Sequence, residues 1–144
     1  MFPRFLLLAI SSLMARAEFL RVEVRMKDMD CASCSASLGK AFEKLRGVNH
    51  VDLSMNDGTV TLELADQNRV TLEQVWDAIK RVGFTPGDTK VIVRGSVKGD
   101  SLTISVIDKT IKIEGNAPQG DVSLKGTITP PPDPRTPMKL QITK

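Results

Sequence analysis

The spacing of apolar residues constrains this chain most, because it changes repeatedly between the period of a strand and the period of a helix. Between residues 19 and 27, apolar and charged side chains alternate, as in a strand with one buried face. Residues 35–45 then carry an apolar stripe at helical spacing, and Gly47 follows as a stop signal. Residues 48–55 and 60–64 alternate again on either side of an Asn-Asp-Gly turn, which indicates a hairpin.

A second helix and another strand follow the hairpin. Thr71 begins a capping box, and the apolar stripe after it ends at Gly83. A Pro-Gly pair at 86–87 indicates a turn, and residues 90–94 a strand. The order β, α, β, β, α, β predicts an α+β fold for residues 18–95. The expected form is a ferredoxin-like sandwich whose antiparallel sheet carries both helices on one face.

Residues 96–144 differ in composition and predict a second, small all-β domain. They contain no aromatic residue, histidine or cysteine. Short alternating segments separated by Gly, Asp and Pro predict five strands. The strands are expected at residues 91–98, 102–106, 111–114, 122–128 and 138–142. The segment 122–128 resembles part of an OB-type barrel. The prolines of residues 130–137 predict an exposed loop, and one strand near residues 89–95 can serve both domains.

Residues 1–17 predict a secretory signal peptide. Arg4 gives the segment a positive start, and the apolar run after it is about half of the ~20 residues that a membrane span needs. Small residues at Ala15 and Ala17 suit a signal peptidase. We therefore expect cleavage near Ala17, a periplasmic or secreted protein, and no stable membrane insertion after cleavage.

The charge of the processed chain is close to balanced. Without Arg4 and Arg16, the 20 Lys and Arg fall to 18, against 17 Asp and Glu. Aromatic residues make up only 4% of the chain. Neither property favours a nucleic acid as partner, because such proteins use basic surfaces and aromatic stacking.

Cys31 and Cys34 are the only cysteines, and they lie where the first strand gives way to the first helix. Two thiolates on a loop that enters a helix can face one point, and a helix N-terminus favours the thiolate form. Such a pair suits Cu(I), Zn(II), Cd(II) or Hg(II). A closed structural zinc site takes four protein ligands, whereas the single histidine, His50, lies beyond the far end of the first helix. The pair therefore predicts an open site for an ion that is handed on.

Residues 19–95 resemble the heavy-metal-associated domain family, which includes copper chaperones, the N-terminal modules of metal-pumping P-type ATPases and the periplasmic mercury-binding protein. The resemblance depends on the element order and on a few positions: Met29-x-Cys31-x-x-Cys34, Leu38, Gly47-Val48, Val51 and Gly83-Phe84. It implies that Cys31 and Cys34 bind one soft metal ion. It also implies that Met29 supports the loop, that Phe84 packs beneath the site, and that a metal-transporting ATPase or another metal-binding domain is a partner.

The other candidate ligands leave the identity of the ion open. Copper-binding members of the family often have Thr before the first cysteine, whereas zinc and cadmium members commonly have an Asp that can coordinate, as Asp30 would here. A carboxylate is a hard ligand that favours a divalent ion. Asp30 is therefore a candidate third ligand, and Cu(I) and Zn(II) or Cd(II) both stay in consideration. Met26, Met55 and Met138 are expected to pack instead of binding metal.

Other functions would use the same cysteines. A thiol–disulfide oxidoreductase has a C-x-x-C pair, but the aromatic and proline of the thioredoxin motif are replaced here by Asp30 and Ala32-Ser33. A protein-interaction module would have an oxidised, vestigial metal site, with the β domain as its working part. A purely structural disulfide would close a very small loop and add roughly 2 kcal/mol or less. We predict a metal-binding protein and not an enzyme.

Overall fold

The computed structural model describes residues 17–27 and 32–143, with the side chains of the first helix described from Cys34 onward. The elements within these ranges are β1 (Phe19–Lys27), α1 (Ala32–Glu43), β2 (Val48–Ser54), β3 (Thr59–Leu64), α2 (Leu72–Val82), β4 (Thr85–Lys98), β5 (Ser101–Ile104), a 3-10 helix (Ser105–Ile107), β6 (Lys109–Glu114), β7 (Gly120–Ile128) and β8 (Lys139–Ile142). Neither of the two α-helices in this part of the chain is long and apolar enough to cross a membrane. The predicted signal peptide, apart from Ala17, lies outside the described residues.

The first half of the chain has the predicted βαββαβ order. β1 lies between β3 and β4, and β2 lies outside β3, with every neighbouring pair antiparallel. α1 contacts α2 and β2, and α2 also contacts β4. Val22 and Val24 of β1 are fully buried, whereas Arg21 and Arg25 on its other face are exposed. This arrangement confirms the ferredoxin-like sandwich, and the name sandwich is used below for β1 to α2 with the first part of β4.

Local hydrogen bonds define both ends of α2, as the sequence predicts. Thr71 Oγ1 accepts from the Gln74 N–H at 3.3 Å, and Gln74 Oε1 accepts from the Thr71 N–H at 3.1 Å, which completes the capping box. Gly83 ends the helix in a left-handed conformation, with φ 105°, and its N–H donates to the Lys80 carbonyl. The apolar stripe of the helix is buried at Leu72, Val75, Trp76 and Ile79.

β4 is longer than predicted, because it begins at Thr85. The turn predicted at Pro86 and Gly87 is therefore wrong: Pro86 pairs with Met26 near the end of β1. Proline is tolerated at the start of a strand, where a missing ladder N–H costs least. Gly87 permits the close approach of the two strands, since a Cβ at this position would lie 3.1 Å from the Arg25 carbonyl oxygen.

β4 also belongs to a closed ring of strands in the second half of the chain. β1 pairs with β4 as far as Val93, and β5 pairs with it from Ser96 to Lys98. Along its other edge, β4 pairs with β7 from Thr89 to Val97. The pairings β5–β6, β6–β8 and β8–β7 complete a ring of five strands, in which β6 and β8 run parallel. The boundary between the two predicted domains falls inside β4.

One hydrophobic core runs through the sandwich and the ring. Buried residues of β4 such as Val91 and Val97 belong to the same cluster as Phe42 of α1 and Leu140 of β8. The two halves are thus joined by a continuous strand and by shared apolar burial, which is the dominant favourable contribution to folding.

Gly95 lies where β4 passes from its pairing with β1 to its pairing with β5. A Cβ at this position would lie 2.7 Å from both Leu102 Cδ1 and the Thr103 carbonyl oxygen. No side chain fits there without displacing β5. The bend of β4 into the ring therefore depends on glycine at this position.

The entry to β1 is buried. Ala17 is 4% exposed and Glu18 1% exposed. The Arg94 N–H donates to the Glu18 carbonyl oxygen at 2.8 Å, which joins this backbone to β4. The Arg94 guanidinium lies 3.7 Å from Glu18 Oε1 and 3.5 Å from Asp66 Oδ1. The Arg94 guanidinium is thus the counter-charge of the buried Glu18 carboxylate, while the backbone hydrogen bond joins the start of β1 to β4.

Residues 129–138 connect β7 to β8 without a helix or strand. Asp133 Oδ1 accepts from the Arg135 N–H at 2.8 Å and from the Thr136 N–H at 3.0 Å, which forms a local turn. Pro132 and Pro134 are exposed.

Candidate metal centre

Three segments of the sandwich meet at one end of its sheet. At the end of β1, Lys27 pairs with Thr85 at the start of β4. The Met26 N–H donates to the Gly58 carbonyl oxygen at 2.7 Å, in the turn between β2 and β3. The chain leaves β1 at this same end and re-enters the described structure at α1. The end of β1 from which the chain leads to α1 therefore lies beside the β2–β3 turn and the α2–β4 junction.

Cys34 lies in the first turn of α1. The helix begins at Ala32, ahead of the predicted start at Ser35, so Cys34 is its third residue. The Cys34 side chain is half-buried and packs against the hydrophobic core. A cysteine in this position faces the positive end of the helix dipole, which favours the thiolate that binds metal.

The other predicted residues of the loop lie outside the described part of the chain. These are Met29, Asp30 and Cys31. The pairing of Cys31 with Cys34 around one ion, and the choice of Asp30 as a third ligand, accordingly remain predictions.

Met55, in the turn after β2, contacts the first turn of α1. The Ser35 hydroxyl donates to Met55 Sδ at 3.2 Å, and Ser35 directly follows Cys34. Met55 is 44% exposed, the only large hydrophobic side chain with substantial exposure among the described residues. By contrast, Met26 is buried and Met138 packs against the core, as expected. The sequence gives no sign of the contact between Met55 and α1, because that contact depends on how the turn folds against the helix.

The α2–β4 junction beside this end is rigidly packed. Phe84 is 4% exposed, and its N–H donates to the Ile79 carbonyl at 3.1 Å. The Trp76 indole N–H donates to Thr89 Oγ1 at 3.0 Å, and that hydroxyl donates to the Gly87 carbonyl at 3.0 Å. The predicted burial of Trp76 is confirmed. These hydrogen bonds fix the first part of β4 on α2, and they so stabilise the α2–β4 junction beside the end of β1.

His50 is not brought near Cys34. It is exposed near the start of β2, where it pairs with Glu63, whereas the 55–58 turn lies beyond the other end of that strand. Within residues 17–27 and 32–143, no group of three or more His, Cys, Asp and Glu side chains could hold a metal ion. A metal site that includes Cys34 therefore needs a ligand from the residues before α1, or a ligand other than His, Cys, Asp and Glu.

Comparison with known proteins gives matches to part of this chain. A family model described as the heavy-metal-associated domain matches residues 23–85. The heavy metal-associated isoprenylated plant protein 31 of Arabidopsis thaliana is 34% identical over 64 residues, which are 44% of this chain and 44% of the plant protein. The copper chaperone CopZ of Staphylococcus saprophyticus is 31% identical over 61 residues, which are 42% of this chain and 88% of that protein.

A solved structure described as CopZ metallochaperone aligns with part of the chain. Its TM-score is 0.42 and its sequence identity 24%, and the alignment covers 46% of this chain and 97% of that chain. The chain thus spans less than half the length of the plant relative but most of the length of the bacterial one.

Proposed function

The chain belongs to the heavy-metal-associated domain family, and from this membership we propose that it binds one soft metal ion between the thiolates of Cys31 and Cys34. The observation that carries the proposal is the place of Cys34, half-buried in the first turn of α1 at the end of the sheet. There the helix dipole favours a thiolate, and Cys31 stands three residues earlier in the sequence.

The proposed role is to sequester the ion or transfer it. Two thiolates leave an open coordination sphere, so an incoming thiolate from a partner adds to the ion before one of the protein's own thiolates leaves. The proposed partner is a metal-transporting ATPase or another metal-binding domain. The relative named a copper chaperone supports Cu(I) as the ion, and the carboxylate of Asp30 supports Zn(II) or Cd(II) instead.

The test is metal affinity of a variant with both cysteines changed, Cys31→Ser and Cys34→Ser. We expect the reduced wild-type protein to bind one equivalent of Cu(I) or Zn(II) in competition with a coloured chelator, and the double variant to lose this binding. Lys40→Ala, an exposed change on the same helix, is the control and should bind as wild type does. Unchanged affinity in the double variant would refute the proposed site.

We propose that the cysteines do not catalyse thiol–disulfide exchange. The residues beside them lack the aromatic and proline of the thioredoxin motif. An insulin-reduction assay on metal-free protein tests this, with thioredoxin as the positive control. Catalytic turnover at rates comparable to thioredoxin would replace the binding function with an oxidoreductase.

We propose further that the protein is exported and that its five-stranded ring is an OB-type barrel. The apolar segment after Arg4 and the small residues before Glu18 support export. A closed ring of five strands in the order β4-β5-β6-β8-β7 supports the barrel assignment. Sequencing the N-terminus of protein isolated from the native host tests export, because a mature chain that still begins at Met1 would contradict it.

A further inference from the structure

The sheet ends at β2, which has a neighbouring strand along one edge only. Among the strands in residues 17–27 and 32–143, β3 is the one that pairs with β2. In the ring, by contrast, the pairing of β7 with β4 closes the sheet on itself. An outermost strand presents a row of backbone N–H and C=O groups that can pair with a strand of another chain. The outer edge of β2 is therefore a surface on which an added strand can form.

The composition of β2 does little to protect this edge. Natural edge strands are often protected by Lys or Pro, or by a bulge that twists the edge away. The strand reads Val-Asn-His-Val-Asp-Leu-Ser, which contains no Lys, Arg or Pro. Its pairing with β3 is irregular between Val48 and His50 and regular from His50 to Ser54. The stretch from His50 to Ser54 can thus accept another strand.

The side of β2 that faces the helices is only partly covered. Val51 and Leu53 are half-buried, whereas Leu62 and Val60, the residues opposite them on β3, are fully buried. A strand added outside β2 would cover the exposed parts of Val51 and Leu53 best if it carried a helix on the same face. A second copy of this chain supplies both, because its own β2 is in contact with α1.

The polar side of β2 is complementary to itself. His50 and Asp52 are exposed, and neither forms an ion pair with another described residue. In an antiparallel pair of two β2 strands about a two-fold axis at Val51, His50 of each copy lies opposite Asp52 of the other. An imidazole N–H can donate to a carboxylate, and a protonated imidazole also carries the opposite charge. This arrangement gives two favourable cross-strand contacts.

Other positions of the two-fold axis give poorer matches. An axis at Asp52 would place the two Asp52 carboxylates directly opposite each other, which is destabilising. An axis at His50 would place two imidazoles opposite each other and Asp52 opposite Val48. An axis at Leu53 would place His50 opposite Asn56, which lies in the turn after β2. The side chains of β2 therefore favour the axis at Val51.

We propose that two copies of this chain associate through the outer edge of β2, antiparallel and in register about Val51, so that one sheet runs through both. The contact involves one short strand and the residues beside it, so the dimer is expected to be weak and to depend on protein concentration. No metal ion and no cysteine enters the proposed contact, and it does not rest on the proposed metal site.

The first test determines the register by crosslinking. Single cysteines are introduced into a background that carries Cys31→Ser and Cys34→Ser. Mild oxidation should give a disulfide-linked dimer with Val51→Cys, because Val51 is the residue that faces its own copy. Leu53→Cys is the matched control, since Leu53 is also half-buried on the same face. The two copies of Leu53 would lie about 13 Å apart along the strands, so this variant should crosslink at least about tenfold more slowly.

The second test measures association by analytical ultracentrifugation of reduced protein with a metal chelator present, so that no ion bridges two copies. Asp52→Lys should weaken the dimer by at least about tenfold, because it removes both opposite-charge contacts. The double variant His50→Asp, Asp52→Lys exchanges the partners and should restore the dimer. Asp77→Lys makes the same charge change at an exposed position on α2 and should associate as wild type does. Circular dichroism checks that each variant is folded.

The outcomes decide the proposal. A wild-type protein that stays monomeric up to about 1 mM would overturn it, and so would equal effects of Asp52→Lys and Asp77→Lys. Crosslinking that is fastest through His50→Cys or Asp52→Cys would refute the axis at Val51. A monomer that instead binds an unrelated extended peptide at β2 would show that the edge serves another partner and would refute the dimer. Rescue by the double variant, together with selective crosslinking at Val51, would support both the dimer and its register.

Discussion

The sandwich and the ring share β4 and one hydrophobic core but cover that core in different ways. In the sandwich, α1 and α2 contact each other. In addition, α1 contacts β2 of the sheet, and α2 contacts β4. In the ring, the sheet itself bends until β7 meets β4. Every aromatic residue, the histidine and both cysteines precede residue 85. The comparison teaches that the half with the candidate ligands is packed, through one common core, on a half that has none of them.

The largest expected loss of unfolding free energy comes from removing a buried side chain from the part of the shared core that the ring contributes. Leu102→Ala removes a fully buried side chain from β5 and should cost about 3 kcal/mol of unfolding free energy. Because the core is continuous, urea unfolding followed by fluorescence of Trp76 in the sandwich should shift together with circular dichroism. Leu38→Ala in α1 is the matched variant and should lose a similar amount. A Trp76 transition that stays at the wild-type midpoint would show that the halves unfold independently.

A smaller effect is expected at the bend of β4. Gly95→Ala places a methyl group against Leu102 and the Thr103 carbonyl and should cost about 2 kcal/mol, measured by thermal and urea unfolding. Gly39→Ala is the control, since nothing lies within 4 Å of a Cβ at that position in α1, and helix propensity should make it neutral or stabilising. A Gly95 variant as stable as wild type would mean that β5 can move away from the bend at little cost.

The capping box of α2 should contribute less to the unfolding free energy than the glycine at the bend does, and its contribution is confined to the sandwich. Thr71→Ala removes the side-chain acceptor for the Gln74 N–H and should cost about 1 kcal/mol. The combination of Thr71→Ala with Gln74→Ala should cost less than the sum of the two single changes, because the two residues cap each other. Additive losses in urea unfolding would argue against a reciprocal capping box.

The smallest effect is expected from the ion pair between the halves. Lys109 Nζ of β6 lies 2.6 Å from Glu73 Oε1 of α2, and the two side chains are 41% and 40% exposed. Exposed pairs are screened by water, so Lys109→Met should cost about 0.5 kcal/mol or less, with the difference vanishing in high salt. A loss as large as that of Leu102→Ala would mean that polar contacts, and not the shared core, join the ring to the sandwich.

The sequence predicts those parts of the fold that depend on local chemistry. The capping box at Thr71, the stop at Gly83, the Asn-Asp-Gly turn and the alternation of the later strands all involve residues close together in the chain. The long β4 was missed because the Pro-Gly pair at 86–87 has the local signature of a turn. Pairing with β1 overrides that signature, and such pairing depends on residues about 60 positions away.

The closure of the ring and the position of Met55 also depend on contacts between residues that are distant in the chain, so the sequence does not predict them. β6 and β8 pair in parallel across the long connection that contains β7, and β7 meets an edge of β4 that a separate sandwich would leave open. The alternation of short segments gives no information on which edges meet. Likewise, C-x-x-C identifies Cys31 and Cys34 by spacing, whereas Met55 approaches Ser35 across 20 residues of chain.

The buried entry to β1 has a consequence for the export that is proposed above. The proposed cleavage near Ala17 would require the backbone at that point to be accessible to a signal peptidase. In the folded protein, Ala17 and Glu18 are almost fully covered, and the Glu18 carbonyl is bonded to the Arg94 N–H. If the proposed leader is removed after Ala17, its removal therefore has to precede the pairing of this segment with β4. Under the proposal of export, the timing of folding would thus be a condition for maturation.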